Sequence, residues 1–140
     1  GWSITIAAVF VWLGMVVGIS FLEAPLKFRA PGVTLALGLG IGRLVFRALN
    51  GCEAALAAVV LVGLLAGGRP GSALAAFLVA AAMLALQVTV VRPALTRRSD
   101  AVLTGQEAGS SRSRAHFAYV GFEAVKVVAL AATGFLLLNQ

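Results

Sequence analysis

The chain has 140 residues, 61% of them hydrophobic and only 11% charged, with a mean hydropathy of +1.02. Soluble globular domains average roughly 45–50% apolar and about 25% charged, so a water-soluble enzyme, a disordered chain and a nucleic-acid-binding domain are excluded as first readings. Eleven Lys and Arg against five Asp and Glu leave a net charge of +6; most of these cations flank long apolar runs, so they read as anchors to anionic lipid headgroups.

A helix needs about 20 apolar residues to cross a bilayer. The first run, 2–22, carries no charge and reads as a span. It lacks the basic start of a cleaved leader and is long for one. Gly14 and Gly18 make a GxxxG step in it, which reads as packing inside the bundle. The segment after it is EAPLKFRAPGVTLALGLGIGRLVFRALNG. Its residues 33–42 are apolar but too few to cross. Arg43 and Arg47 follow at i, i+4 and share a helix face. The segment 33–49 therefore predicts an amphipathic helix lying at the interface; a re-entrant arm buried in protein is the other arrangement the pattern permits. Gly38 and Gly42 repeat the small-residue step there.

The second span is read over 51–67. Cys52 lies near its start among small residues, reads as a buried inert thiol, and as the single cysteine excludes an intramolecular disulfide or a multi-cysteine metal cluster. The third span is read over 72–91, ended by Arg92-Pro93, with Ser72, Ala76 and Ala80 as its small face. The loop 92–115 is polar and Gly/Ser-rich, and the fourth span is read over 114–138. The expected fold is all-α: a four-helix membrane bundle at 1–140 with an additional interfacial or re-entrant helix.

Topology follows from the cations. The 23–50 segment holds Lys27, Arg29, Arg43 and Arg47; the 92–115 loop holds Arg92, Arg97, Arg98, Arg112 and Arg114; the loop between spans two and three holds only Arg69. The positive-inside rule puts the two basic loops in the cytoplasm and both termini outside an inner (plasma) membrane.

Charges within spans are rare and costly, so they mark the place to look for function. His116, Tyr119, Glu123 and Lys126 have offsets of 0, 3, 7 and 10, which at about 100° per residue form a ridge about 80° wide. From Arg114, Glu123 is about 14 Å deep and Lys126 about 18 Å. The two are i, i+3 neighbours able to pair. Glu53, Gln87, Arg43 and Arg47 fall at the same cytoplasmic half, so a polar cluster is expected there, either a cavity open inward or a sealed knot. One His and one Cys make no ordinary zinc site. No phosphate loop or nucleophile–base pattern is present, so no cofactor, metal or catalytic residue is expected and the chain does not read as an enzyme.

The stretches WLGMVVGISFLEAPLKF and GLGIGRLVFRALN resemble small bacterial membrane proteins of unknown function, which are similar to the four-helix family that includes the eukaryotic transmembrane protein linked to drug resistance. The matching positions are Trp12-Leu13-Gly14, Pro25, Phe28, Gly42, Phe46 and the His116 region. The Arg43/Arg47 and Glu123/Lys126 pairs depart from that family. The resemblance implies four spans and carries no activity with it.

Small-residue faces and short loops favour an accessory or scaffolding subunit that packs against itself, as a homo-oligomer, or against a larger membrane complex. The alternative is a small-solute or proton-coupled carrier using an intramembrane Glu/Lys site.

Overall fold

A computed structural model of the chain describes the backbone of residues 2–68, 71–91 and 111–139, with side chains described for all of these except 90, 91 and 111–117. It contains four helices, each long and apolar enough to cross a membrane, and no strand among the described residues. We number them α1 (Trp2–Lys27), α2 (Leu35–Ala66), α3 (Gly71–Leu86, continued by a π-helical turn Gln87–Val91) and α4 (Ser111–Leu138). In lipid every backbone N–H must find its acceptor within the segment, and unbroken Ala-, Leu- and Val-rich runs meet that demand as helices.

Helix α1 is not uniform. It is α-helical over Trp2–Val16, π-helical over Val17–Glu23 and α-helical again over Ala24–Lys27. Pro25 has no N–H to give to the preceding turn, and a widened turn absorbs that loss. The second π segment, Gln87–Val91, likewise ends two residues before a proline in the sequence.

The link from α1 to α2 is a tight turn. Pro31 and Gly32 occupy its centre, Gly32 takes a left-handed φ of 82°, and the Val33 N–H donates to the Ala30 carbonyl at 3.2 Å. Thr34 then caps α2, its Oγ1 accepting from the Leu37 N–H at 3.1 Å. The helix runs on for 32 residues. The separate interfacial or re-entrant helix expected over 33–49 is therefore absent: that segment is the first half of α2, and the span read as 51–67 begins at Leu35. No proline interrupts 35–66, and a single glycine such as Gly51 costs only about 1 kcal/mol within a helix. At about 1.5 Å per residue α2 is about 48 Å long, against a hydrocarbon core about 30 Å thick, so it must tilt or protrude. The last helix also begins earlier than expected, at Ser111. Most of the 92–115 loop lies outside the described residues.

Successive helices run antiparallel. The most extensive packing joins α3 to α4, and α1 lies against both α2 and α4. Val9, Trp12 and Val16 of α1 meet Val60 and Leu64 of α2, Phe77, Ala80 and Leu84 of α3, and Leu130 and Leu137 of α4. The Trp12 indole meets the Phe77 ring edge to face, centroids 6.3 Å apart. Large apolar side chains such as Val62, Val128 and Phe135 stay on the outside, as a lipid-facing surface requires.

Small residues set the helix spacing, though in part at different positions from those expected. A Cβ on Gly63 would collide with the Thr5 side chain, and one on Gly38 with the Phe28 ring. Gly42 faces Lys27 Nζ, which would lie 2.8 Å from an added Cβ. Gly14 and Gly18, by contrast, have nothing within 4 Å: they face away from the bundle. On α3 the buried face is Ala73, Phe77, Ala80 and Leu84; Ser72 points outward. Cys52 is exposed on the helix exterior and not buried.

Candidate functional site: a buried charge cluster shared by the four helices

All four helices place a polar side chain at one level of the core. Lys126 and Glu123 come from α4, Gln87 from the first π-helical residue of α3, Glu53 from α2, and Trp12 and Ser20 from α1. Glu53, Gln87 and Lys126 are 0% exposed and Glu123 is 1% exposed. Burying ions this completely is tolerated only where they are paired and hydrogen-bonded, and the contacts show how that is met.

Lys126 Nζ uses each of its three donors. It lies 2.6 Å from Glu53 Oε2, 2.6 Å from Glu123 Oε1 and 2.6 Å from Gln87 Oε1. The Gln87 Nε2 group donates to Glu123 Oε1 at 2.6 Å, so the amide bridges the ammonium and the carboxylate with both of its ends. Ser20 Oγ donates to Glu123 Oε2, and Trp12 Nε1 donates to Glu53 Oε2 at 2.7 Å. Ser20 and Gln87 both lie in π-helical segments. Such widened turns re-aim side chains and recur at functional sites; here they bring two neutral polar groups onto the same carboxylate.

The charges do not balance. Two carboxylates surround one ammonium. Glu123 has both oxygens engaged, and Glu53 has one: its Oε1 is buried without a hydrogen-bond partner. One turn away on α2, Asn50 is 5% exposed, and both its Oδ1 and Nδ2 are likewise unpartnered.

Surroundings differ on the two sides of the cluster. Toward the 67–71 end the interior is mostly apolar, from Val9 and Val60 to Leu64, Leu130 and Leu137; the buried polar residues there are Thr5, against Gly63, and Thr133, which donates to the Ala129 carbonyl of its own helix. Toward the end that carries the 28–34 turn, polar groups continue. Asn50 comes first. Next is Tyr119, 8% exposed, its ring edge to face with Phe46 at 5.2 Å. Then Lys27 Nζ lies 5.8 Å from the Phe46 centroid and 5.4 Å from that of Phe28.

Of the residues expected at the site, the structure brings together Glu53, Gln87, Glu123 and Lys126, with Tyr119 buried one turn below Glu123. The His116 side chain lies outside the described residues. Arg43 is half-buried and Arg47 exposed; at about 1.5 Å per residue they stand about 15 Å and 9 Å along the axis from Glu53. Trp12, Ser20 and Asn50 were not anticipated. For the first two a signal existed: eight residues apart on one helix, they lie within about 80° of each other and share a face.

Comparison with known protein families, curated proteins and solved structures finds no match for this chain. No group of three or more His, Cys, Asp or Glu suited to a metal ion occurs among the described residues.

Proposed function

We propose that the protein is a small multi-pass membrane protein whose central Glu53–Glu123–Lys126 cluster binds and releases a proton, as a proton-coupled carrier of a small solute requires. One observation supports this above all: two buried carboxylates share one ammonium whose donors are already spent. A cluster serving only as glue would gain by matching its charges, because an excess buried ion is strongly unfavourable. An added proton removes that excess. In this reading the basic end of the bundle faces the cytoplasm and both termini face outward, following the cation count.

Dicyclohexylcarbodiimide tests it, since this reagent attacks protonated carboxyls in apolar surroundings. With the protein in lipid nanodiscs, peptide mass spectrometry is expected to find the adduct within the cluster, on Glu53, whose Oε1 has no partner, in amounts that fall as the pH is raised. An unmodified cluster at every pH overturns the proton site.

A second reading, the accessory or scaffolding subunit, has its own observation: the Gly14/Gly18 step faces outward with open space before it. Under that reading the triple variant Glu53→Gln, Glu123→Gln, Lys126→Met retains biological activity as long as it folds. Under the carrier reading it folds and is inactive.

A further inference from the structure

The unpartnered polar atoms at the cluster are not scattered. Glu53 Oε1, Asn50 Oδ1 and Asn50 Nδ2 belong to residues three apart on α2, which puts them on one face with Cβ atoms about 5–6 Å apart. One water between them would donate to one side and accept from the other. An amide is well matched to such a place because it offers both a donor and an acceptor. When Glu53 Oε1 is an anion it needs a donor, and when it carries a proton it needs an acceptor. Water held by Asn50 serves both states.

Asn50 stands on the polar side of the cluster, toward the 28–34 turn. On the opposite side Val60 and Leu64 occupy the next turns of α2, with 0% and 1% exposure. Water is favoured where polar partners meet it, and the side of Asn50 offers more of them than the side of Val60 and Leu64.

We propose that Asn50 and Glu53 Oε1 hold water and form the inner station of a one-sided proton path, running from the basic end past Tyr119 to the charge cluster. This rests on the proton-site reading above. A hydronium reaching the station gives its proton to a lone pair of Glu53 Oε1, leaving one water behind; release is the reverse. The groups facing that carboxyl on each neighbour are Trp12 of α1 and Lys126 and Glu123 of α4, with Gln87 of α3 bridging the last two. Farther along the path stand Tyr119, Glu23 and Lys27.

Trp12 donates to Glu53, so its emission reports the charge on that carboxyl. In a Trp2→Phe background Trp12 is the single tryptophan, since the chain has two. A rapid pH jump on this protein in nanodiscs should give an emission change whose rate falls about tenfold with Asn50→Leu, the factor expected for losing one hydrogen-bonded station. Asn50→Ser, which keeps a donor and an acceptor, should restore much of it. An Asn50→Leu rate equal to that of the parent overturns the path and leaves the proton site standing. Emission that titrates at no pH at which the protein stays folded overturns the proton site itself, and the path with it.

Accessibility gives a measurement that does not depend on protonation. In a Cys52→Ser background, Asn50→Cys should react with a small water-borne thiol reagent, while Val60→Cys, on the apolar side, should not. An unreactive Asn50→Cys, or equal reaction at both sites, overturns one-sided wetting.

Discussion

Lys126 is the side chain on which the cluster depends, and the charge count says by how much. Removing it as Lys126→Met leaves two buried carboxylates facing one another with no cation between them, a loss typically of about 3–5 kcal/mol. Glu123→Gln is different. It leaves Glu53 and Lys126 as a balanced pair, and its amide oxygen still accepts from Lys126 and Gln87 while its NH2 donates to the Ser20 hydroxyl, so its cost should be about 1–3 kcal/mol, that of a disturbed buried hydrogen bond. Chemical unfolding of both variants in detergent checks the order; equal losses would mean that Glu53 does not share the ammonium. From the spacing of α4 alone, Glu123 and Lys126 read as a pair. That reading could not weigh the third charge, because Glu53 is 70 or more positions away in the chain and reaches Lys126 only through the packing of α2.

At the scale of the helix, two glycines of like appearance in the sequence have opposite roles. A Cβ at Gly63 runs into Thr5, whereas one at Gly14 meets nothing within 4 Å. Gly63→Val should therefore push α1 from α2 and cost about 1–3 kcal/mol, while Gly14→Ala should stay within about 0.5 kcal/mol of the parent. Thermal unfolding of the two variants compares them directly; equal effects would refute the close crossing at Gly63. The continuity of α2 is open to a distance measurement. Spin labels at Leu37 and Val59, both exposed, lie 22 residues apart, about 33 Å along an unbroken helix. A markedly shorter distance would restore the interfacial or re-entrant arm. Local pattern could not distinguish these cases, because the arginine-bearing first half of α2 is amphipathic whether it ends at the interface or continues inward.

For the whole molecule the prediction concerns sidedness. Ala30 and Ser72 are exposed at opposite ends of the bundle, and Lys27, Arg29, Arg43 and Arg47 lie toward the Ala30 end. In a Cys52→Ser background and in intact cells, an impermeant thiol reagent should modify Ser72→Cys and spare Ala30→Cys until the membrane is opened. Labelling of Ala30→Cys from outside would invert the topology, and with it the side from which the proposed proton path opens.

The sequence by itself determined that four helices are long and apolar enough to cross a membrane, the approximate places of three of them and the helix face that carries Tyr119, Glu123 and Lys126. These are one-dimensional properties: a run of about 20 apolar residues, or a 100° repeat, is complete within a single segment. It also pointed to Glu53 and Gln87, since a charge or an amide inside an apolar run needs a partner. Tertiary structure decided the rest. Whether Gly14 or Gly63 meets a neighbour depends on how each helix is rotated in the bundle, which two apolar faces of similar strength leave open in the sequence. Trp12 and Ser20 gained their roles because α1 lies antiparallel to both α2 and α4, with a π-helical turn directing Ser20 onto Glu123. The imbalance of two carboxylates against one ammonium came from the same source: only the packed bundle brings Glu53 to within 2.6 Å of a lysine that its own helix neighbour already engages.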